Sequence, residues 1–337
     1  VSITALLITR LDPSSFMFAF SSGIIAIILV KNADKRIELV RNIFIFSILC
    51  GVIMIMLGTL KQTDVRYLLP AFGWGVAHGF VSGMLHFGVL PLVEHWLNIP
   101  TRFRLLELSD PNTPLLKKML SLAPGTYSHS LNVANLAETA CKEIGANPLL
   151  ARVGAYYHDI GKIEQAEYFV ENQKESNKLI DLNPSLSVSV IKSHVKIGIE
   201  KGKELKLPKA VIDIISQHHG SGLINYFYSE ALKSEKDNKI NREDYSYSEP
   251  VPTSREAAVV MLADTVEAAV RTLKKPTVSK ISKYVWDLFL YKIKEQQLNN
   301  SELTMKDLET IKNTFVHILA GYFHARIEYP QNNGNEN

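Results

Sequence analysis

Tyr157-His158-Asp159-Ile160-Gly161-Lys162 is the stretch on which the reading of this chain turns. A single His-Asp pair carries little information, because such dipeptides are common at surfaces and helix ends. Here the pair has company: His129 precedes it, and His194, His218, His219 and Asp264 follow, each within helix-like sequence. Neutral imidazole and carboxylate suit borderline divalent metals such as Fe, Mn, Co or Zn. One shared carboxylate can hold two such ions roughly 3.5 to 4 Å apart, and ions so held make hydroxide available near neutral pH while stabilising charge on phosphoryl oxygens. No side-chain nucleophile is then required. The series therefore reads as a two-metal hydrolytic site.

The sequence around these residues is helical in pattern, so the expected fold class is all-α. Pro114 to Leu122 reads as a short helix, and Pro124-Gly125-Thr126 as a turn into a helix carrying His129, Val133, Leu136, Ala137 and Ala140 on helical spacing, stopped by Gly145. Asn147-Pro148 pairs an N-cap residue with proline at the first helical position. That helix delivers His158 and Asp159 before Gly161 is expected to break it. Residues 171 to 183 are polar and read as a loop over the site. Pro184 opens the helical stretch with His194, and Pro208 opens another that closes on His218-His219-Gly220, so ligands fall at helix ends. Ser254 to Arg271 reads as a helix in which Asp264 lies among Met261, Leu262, Val266 and Ala268. An unpaired carboxylate there would be costly, and a metal would relieve that cost.

The 337 residues divide by composition. Pro13 to Val30, Asn42 to Leu60 and Tyr67 to Val93 contain no Asp, Glu, Lys or Arg, and each is close to the roughly 20 residues that an apolar helix needs to cross a bilayer. No such run recurs after Leu97. Lys31, Lys35, Arg36 and Arg41 lie between the first two runs, against Lys61 and Arg66 between the second and third, and Arg102 and Arg104 follow the last. Positive residues gather on the cytoplasmic side, which puts residues 31 to 41 and everything after Leu97 inside. Gly73, Gly75, Gly79, Gly83 and Gly88 of the third run, with His78 and His86 among them, read as a helix-packing face. Val1 to Thr9 looks like the tail of an earlier span, and the start without Met suggests a fragment of a longer membrane protein; a cleavable signal peptide is not recognisable.

A net charge of +3, with basic residues scattered among acidic ones, argues against a nucleic-acid polymer as partner. The two cysteines, Cys50 in a span and Cys141 in a helix, fit a reducing compartment rather than a disulfide framework. There is no internal repeat, and the low-complexity residues 331 to 337 read as disordered.

Six stretches carry a closer resemblance: Arg104 to Asp110, Ala123 to Tyr127, Val133 to Glu138, His158 to Lys162, Tyr168 to Gln173 and Gln217 to Gly220. Within the HD phosphohydrolase superfamily they resemble the seven-transmembrane HD family of bacterial cyclic di-AMP phosphodiesterases, over roughly residues 11 to 325. The resemblance implies a transmembrane region over residues 1–98 holding the last spans, a juxtamembrane connector over 99–123, an HD phosphohydrolase domain over 124–328 and a disordered tail over 329–337. It implies that His129, His158, Asp159 and Asp264 hold one divalent transition-metal ion, Fe or Mn, and that Asp159, His194, His218 and His219 hold a second, with Asp159 as bridge. Lys162 corresponds to a lysine expected to meet a substrate phosphate. Tyr226, Tyr228 and Tyr245 are candidates for contact with an adenine ring.

The implied reaction is hydrolysis of cyclic di-AMP to linear pApA at the bacterial inner membrane, with the lipid bilayer and a second copy of the chain as expected partners. Two departures from the family pattern occur: Gln165-Ala166 stands where Arg-Pro is usual, and Tyr127-Ser128-His129 where Tyr-His-His is common. Loss of that arginine puts base preference in doubt. Hydrolysis of cyclic di-GMP is the alternative within enzymes, yet His218-His219-Gly220-Ser221-Gly222-Leu223 lacks the acidic residue and Gly-Tyr-Pro segment that it calls for. A triphosphohydrolase would need fewer histidines. A receptor that binds a nucleotide without cleaving it would have no need of the complete ligand set.

Overall fold

The computed structural model describes residues 12–31, 36–173, 178–234, 240–273 and 276–324. The expected partial span at Val1 to Thr9, Lys35 and the expected tail at 329–337 lie outside them. Among the described residues the chain is helical, with one isolated antiparallel bridge, Leu223 to Ser246. It divides into two compact units, Val1–Leu97 and Asn98–Asn337.

The first unit holds α1 (Pro13–Lys31), α2 (Arg36–Leu60) and α3 (Leu68–Leu97). All three are long and apolar enough to cross a membrane, and their large apolar side chains face outward, as at Ile27, Leu69 and Trp74. The buried positions include small or polar groups, Cys50, Ser47 and Asn42, whose amide donates to the Leu29 carbonyl at 2.8 Å, beside Leu39 and Ile43. A Cβ on Gly75 would meet the Cys50 carbonyl at 2.7 Å, and one on Gly79 the Ser47 Cα at 2.7 Å. These glycines let two backbones approach closely, which is how membrane helices pack when no hydrophobic effect drives them together.

In the second unit, α4 (Arg102–Leu108), α5 (Pro114–Leu122), α6 (Pro124–Glu143), α7 (Pro148–Tyr157), α8 (Pro184–Glu204), α9 (Lys209–Gln217), α10 (Asn225–Ser234), α11 (Arg255–Val270), α12 (Val278–Lys294) and α13 (Met305–His324) follow in order. Local chemistry sets their ends. The Asn147 carboxamide accepts from Leu150 N at 3.1 Å with Pro148 at the first turn, the Ser254 hydroxyl accepts from Ala257 N at 3.1 Å, and Gly145 takes φ +69° after α6. Helix α11 is buried on nearly every side, which its apolar sequence dictates. Around it pack Val133, Leu136 and Ala140 of α6, Ala151 and Ala155 of α7, Val285 and Phe289 of α12, and Phe315 of α13. The stretch read as a connector contributes to a second cluster, where Leu105, Leu116 and Met119 join Val153, Tyr157 and Ile160.

Candidate metal centre

His158 ends α7, and Asp159 starts a 3-10 segment, Ile160–Tyr168. The α-helix does end before Gly161, as expected, but glycine at this position has a further reason, which is proximity. A Cβ on it would lie 1.8 Å from the His194 carbonyl oxygen, so the absence of a side chain lets the segment lie directly on α8. His218 caps the end of α9, as expected. His129, His194 and Asp264, by contrast, project from within α6, α8 and α11 rather than from helix ends.

The structure brings these seven side chains together. Asp159 is buried between two groups of rings. Its Oδ2 lies 3.1 Å from His158 Nε2 and 3.8 Å from His129 Nε2, while Oδ1 lies 3.4 Å from His194 Nε2 and 3.7 Å from His218 Nε2. Asp264 closes the near side, with Oδ1 3.0 Å from His129 Nε2 and Oδ2 3.7 Å from His219 Nδ1. Donor atoms of His129, His158 and Asp159, and of Asp159, His194, His218 and His219, converge closely enough for each group to hold a metal ion.

The donor chemistry fits such ions. His158 Nε2 and both Asp159 oxygens are buried without a hydrogen-bond partner, the 2.8 Å contact of Lys162 Nζ with Asp159 being an ion pair without hydrogen-bond alignment. Buried polar atoms are normally satisfied, and metal ligation would satisfy all three. The Nδ1 atoms of His158, His194 and His218 donate to carbonyls three residues earlier, at Ala155, Ile191 and Ile215, which fixes the tautomer that leaves Nε2 free to ligate. Burial pushes His194 down to about 4 and His218 down to about 3, so both rings are neutral at physiological pH. Burial also depresses His129, but hydrogen bonds to Asp264 and Glu267 outweigh it and raise this ring to about 10. Burial opposes ionisation of Asp159 and Asp264, yet the surrounding histidines, with Lys162 at Asp159, hold both carboxyls well below the usual range.

Lys162 is no solvated helix-end lysine. It lies between Asp159 and Glu171, 3.0 Å from the latter, and both carboxylates raise its pKa against the opposing effect of burial. Residues 171 and 172, expected in a loop, are fixed against α6: Asn172 Oδ1 accepts from Gly125 N and Thr126 N at 2.9 and 3.1 Å.

The centre opens into a cavity of about 920 Å³. Tyr226 lines it, but Tyr228 and Tyr245 do not; their rings lie 5.8 Å apart beside Val188 and Phe227 in a separate apolar cluster. The ring at the centre is Tyr247, stacked on His219 with centroids 4.3 Å apart. Gln165, half-buried, accepts from the Ser193 hydroxyl at 3.4 Å and is not part of the cavity wall. Glu267 was also unanticipated. It receives His129 Nδ1 on one oxygen, and Asn132 and Arg271 on the other at 3.1 and 2.6 Å. Its place one helical turn after Asp264 was the available signal.

Histidines and aspartates so arranged on a helical bundle define the class of HD hydrolases, and residues 126–269 match the HD domain. Residues 1–101 match the 7TM receptor with intracellular HD hydrolase, and the chain belongs to that family of membrane proteins. It is 41% identical to cyclic-di-AMP phosphodiesterase PgpH of Bacillus subtilis over 92% of this chain and 44% of the relative. It is 37% identical to the Listeria monocytogenes protein of the same name over 98% of this chain and 46% of the relative. The chain thus spans less than half the length of these curated relatives. The crystal structure of the L. monocytogenes PgpH HD domain in complex with cyclic-di-AMP aligns with a TM-score of 0.61 and 43% identity, covering 63% of this chain and 99% of that one.

Proposed function

We propose that this chain is the membrane-anchored catalytic part of a phosphodiesterase that hydrolyses cyclic di-AMP to linear pApA. The observation that carries the reading is the division of one buried carboxylate, with Asp159 Oδ2 toward His129 and His158 and Oδ1 toward His194 and His218. That division suits a bridge. Support for the substrate comes from the likeness to an HD domain crystallised with cyclic-di-AMP.

In this reading His129, His158, Asp159 and Asp264 hold one ion, and Asp159, His194, His218 and His219 the other, with iron or manganese as the metals. Such a pair supplies an activated water and neutralises charge on the phosphoryl oxygens. The protein's own residues prepare the place. His194 and His218 offer neutral imidazoles, Lys162 presents a cation beside the reacting phosphate, and Glu267 orients His129. Tyr226 and Tyr247 supply aromatic wall for an adenine ring. The basic residues near the first two spans support a cytoplasmic HD unit at a bacterial inner membrane, with a homodimer as the proposed assembly.

The test is to purify the full chain in detergent, load it with iron or manganese, and incubate it with cyclic di-AMP and cyclic di-GMP. The expected product is pApA, with cyclic di-GMP cleaved far more slowly. Preference for cyclic di-GMP, or no hydrolysis of either with two ions bound, overturns the proposal.

A further inference from the structure

Three lysine and arginine side chains line the cavity, and two of them are engaged. Lys162 contacts Asp159 and Glu171, and Arg271 is paired with Glu267. Lys292, from α12, differs. No hydrogen bond or ion pair reaches its ammonium from the described residues. Asp264 and Glu295 act on it from farther away, and Glu295 is already paired with Arg242. The ammonium sits beside the turn that follows His219, where a Cβ built on Gly222 would meet Nζ at 3.9 Å. Burial lowers its pKa, as expected of a cation removed from water without a partner. Lys292 is half-buried on the cavity wall, and an ammonium partly withdrawn from water without a partner there is poorly stabilised unless something anionic meets it.

A cyclic dinucleotide carries two phosphodiester groups, each with one negative charge. One must lie at the metal centre for hydrolysis, and Lys162, in contact with Asp159, belongs to that end. The other phosphate must lie elsewhere in the cavity. We infer that Lys292 receives the second, unreacting phosphate and so selects substrates with two phosphates over those with one. The inference rests on the proposed cyclic-dinucleotide activity and adds a specificity-determining residue to it.

The experiment compares wild type, Lys292→Met and Lys292→Arg as full chains in detergent with measured metal content. Their substrates are cyclic di-AMP and a one-phosphate diester, the p-nitrophenyl ester of thymidine 5′-phosphate. Losing a charge-assisted contact should raise KM for cyclic di-AMP about 10- to 100-fold in Lys292→Met. Its kcat and the KM for the one-phosphate diester should each move less than about threefold, because a contact remote from the reacting phosphate contributes uniform binding. Lys292→Arg should recover most of the loss. Calorimetric Kd values for a hydrolysis-resistant phosphorothioate cyclic dinucleotide should follow the KM values without turnover. Equal KM increases for both substrates, or an unchanged Kd in Lys292→Met, overturn the assignment. Should wild type fail to cleave cyclic di-AMP, the functional reading falls and the role of Lys292 with it; cleavage by wild type with an unaltered KM in Lys292→Met removes the role of Lys292 alone.

Discussion

His194 and His218, on one side of Asp159, hold their rings with carbonyls of their own helices, whereas His129, on the other side, turns Nδ1 to the carboxylate of Glu267 from α11. Burial acts on both sides, but carboxylates dominate at His129. The first pair is consequently neutral, and His129 holds a proton up to about 10. Rings of one chemical type thus differ in how firmly they hold a proton, decided by the carboxylates of Asp264 and Glu267 that flank His129.

The largest effect should come from the residue common to both sides. Asp159→Ala is expected to abolish turnover and to remove more than one metal ion per chain, as read by elemental analysis. Near-normal turnover with two ions bound would erase the bridging role. Glu267→Gln should act on one side alone, weakening one ion by about 10- to 100-fold, the range seen when partners behind a metal ligand are changed. Metal titration showing equal weakening of both ions would remove the distinction between the sides. Lys162→Ala should retain both ions and lose about 10- to 100-fold in activity, the scale of one charge-assisted contact; loss of both metals would make it a structural support.

The pH dependence of the metal-free protein sharpens the same contrast. His194 and His218 have folded-state pKa values of about 4 and about 3, below an unfolded value of about 6.5, so the unfolded chain binds more protons as pH falls below that value. Stability should decline from about pH 6.5 toward 4. His129 has the opposite sign: its raised pKa gives stability that is complete below about 6.5 and is lost as pH rises toward 10. Denaturant unfolding at pH 5, 6.5 and 9 should therefore show a flank on each side, with His129→Asn flattening the alkaline one. An unchanged alkaline flank in that variant would place the responsible proton elsewhere. Smallest of all, Gln165→Arg should change cyclic di-AMP affinity less than about threefold, since the position lies off the cavity wall and a substitution away from buried contacts costs little. A larger gain would give the departure at this position a part in recognition.

The gathering of these seven side chains was legible in sequence because imidazoles and carboxylates in apolar helices have few other reasons to be there. What surrounds it was harder to read. Tyr247 rather than Tyr245 meets His219 because Ile224 N donates to the Tyr245 carbonyl and Tyr247 N to the Gly222 carbonyl, each at 2.9 Å. That pairing joins residues about twenty apart and leaves no local pattern. Gly161 read only as a helix breaker because its neighbour, the His194 carbonyl, is distant in sequence. Lys292 and Glu267 lie on helices whose charged residues would ordinarily face water. In the membrane unit the glycine pattern announced close packing at Gly75, Gly79 and Gly83, whereas a Cβ on Gly73 or Gly88, read as part of the same face, would meet nothing within 4 Å among the described residues.

The carbonyl clasps on His158, His194 and His218 also make ring orientation a local matter. Each is made to a carbonyl three residues back, so these ring orientations depend on no distant element and on no ion. A metal would then fill a site prepared in advance, unlike domains whose ligands are gathered by the metal itself. Release of an ion would leave these three hydrogen bonds in place. A chain stripped by a chelator is accordingly expected to keep its fold, and metal added back should find these three rings already aimed.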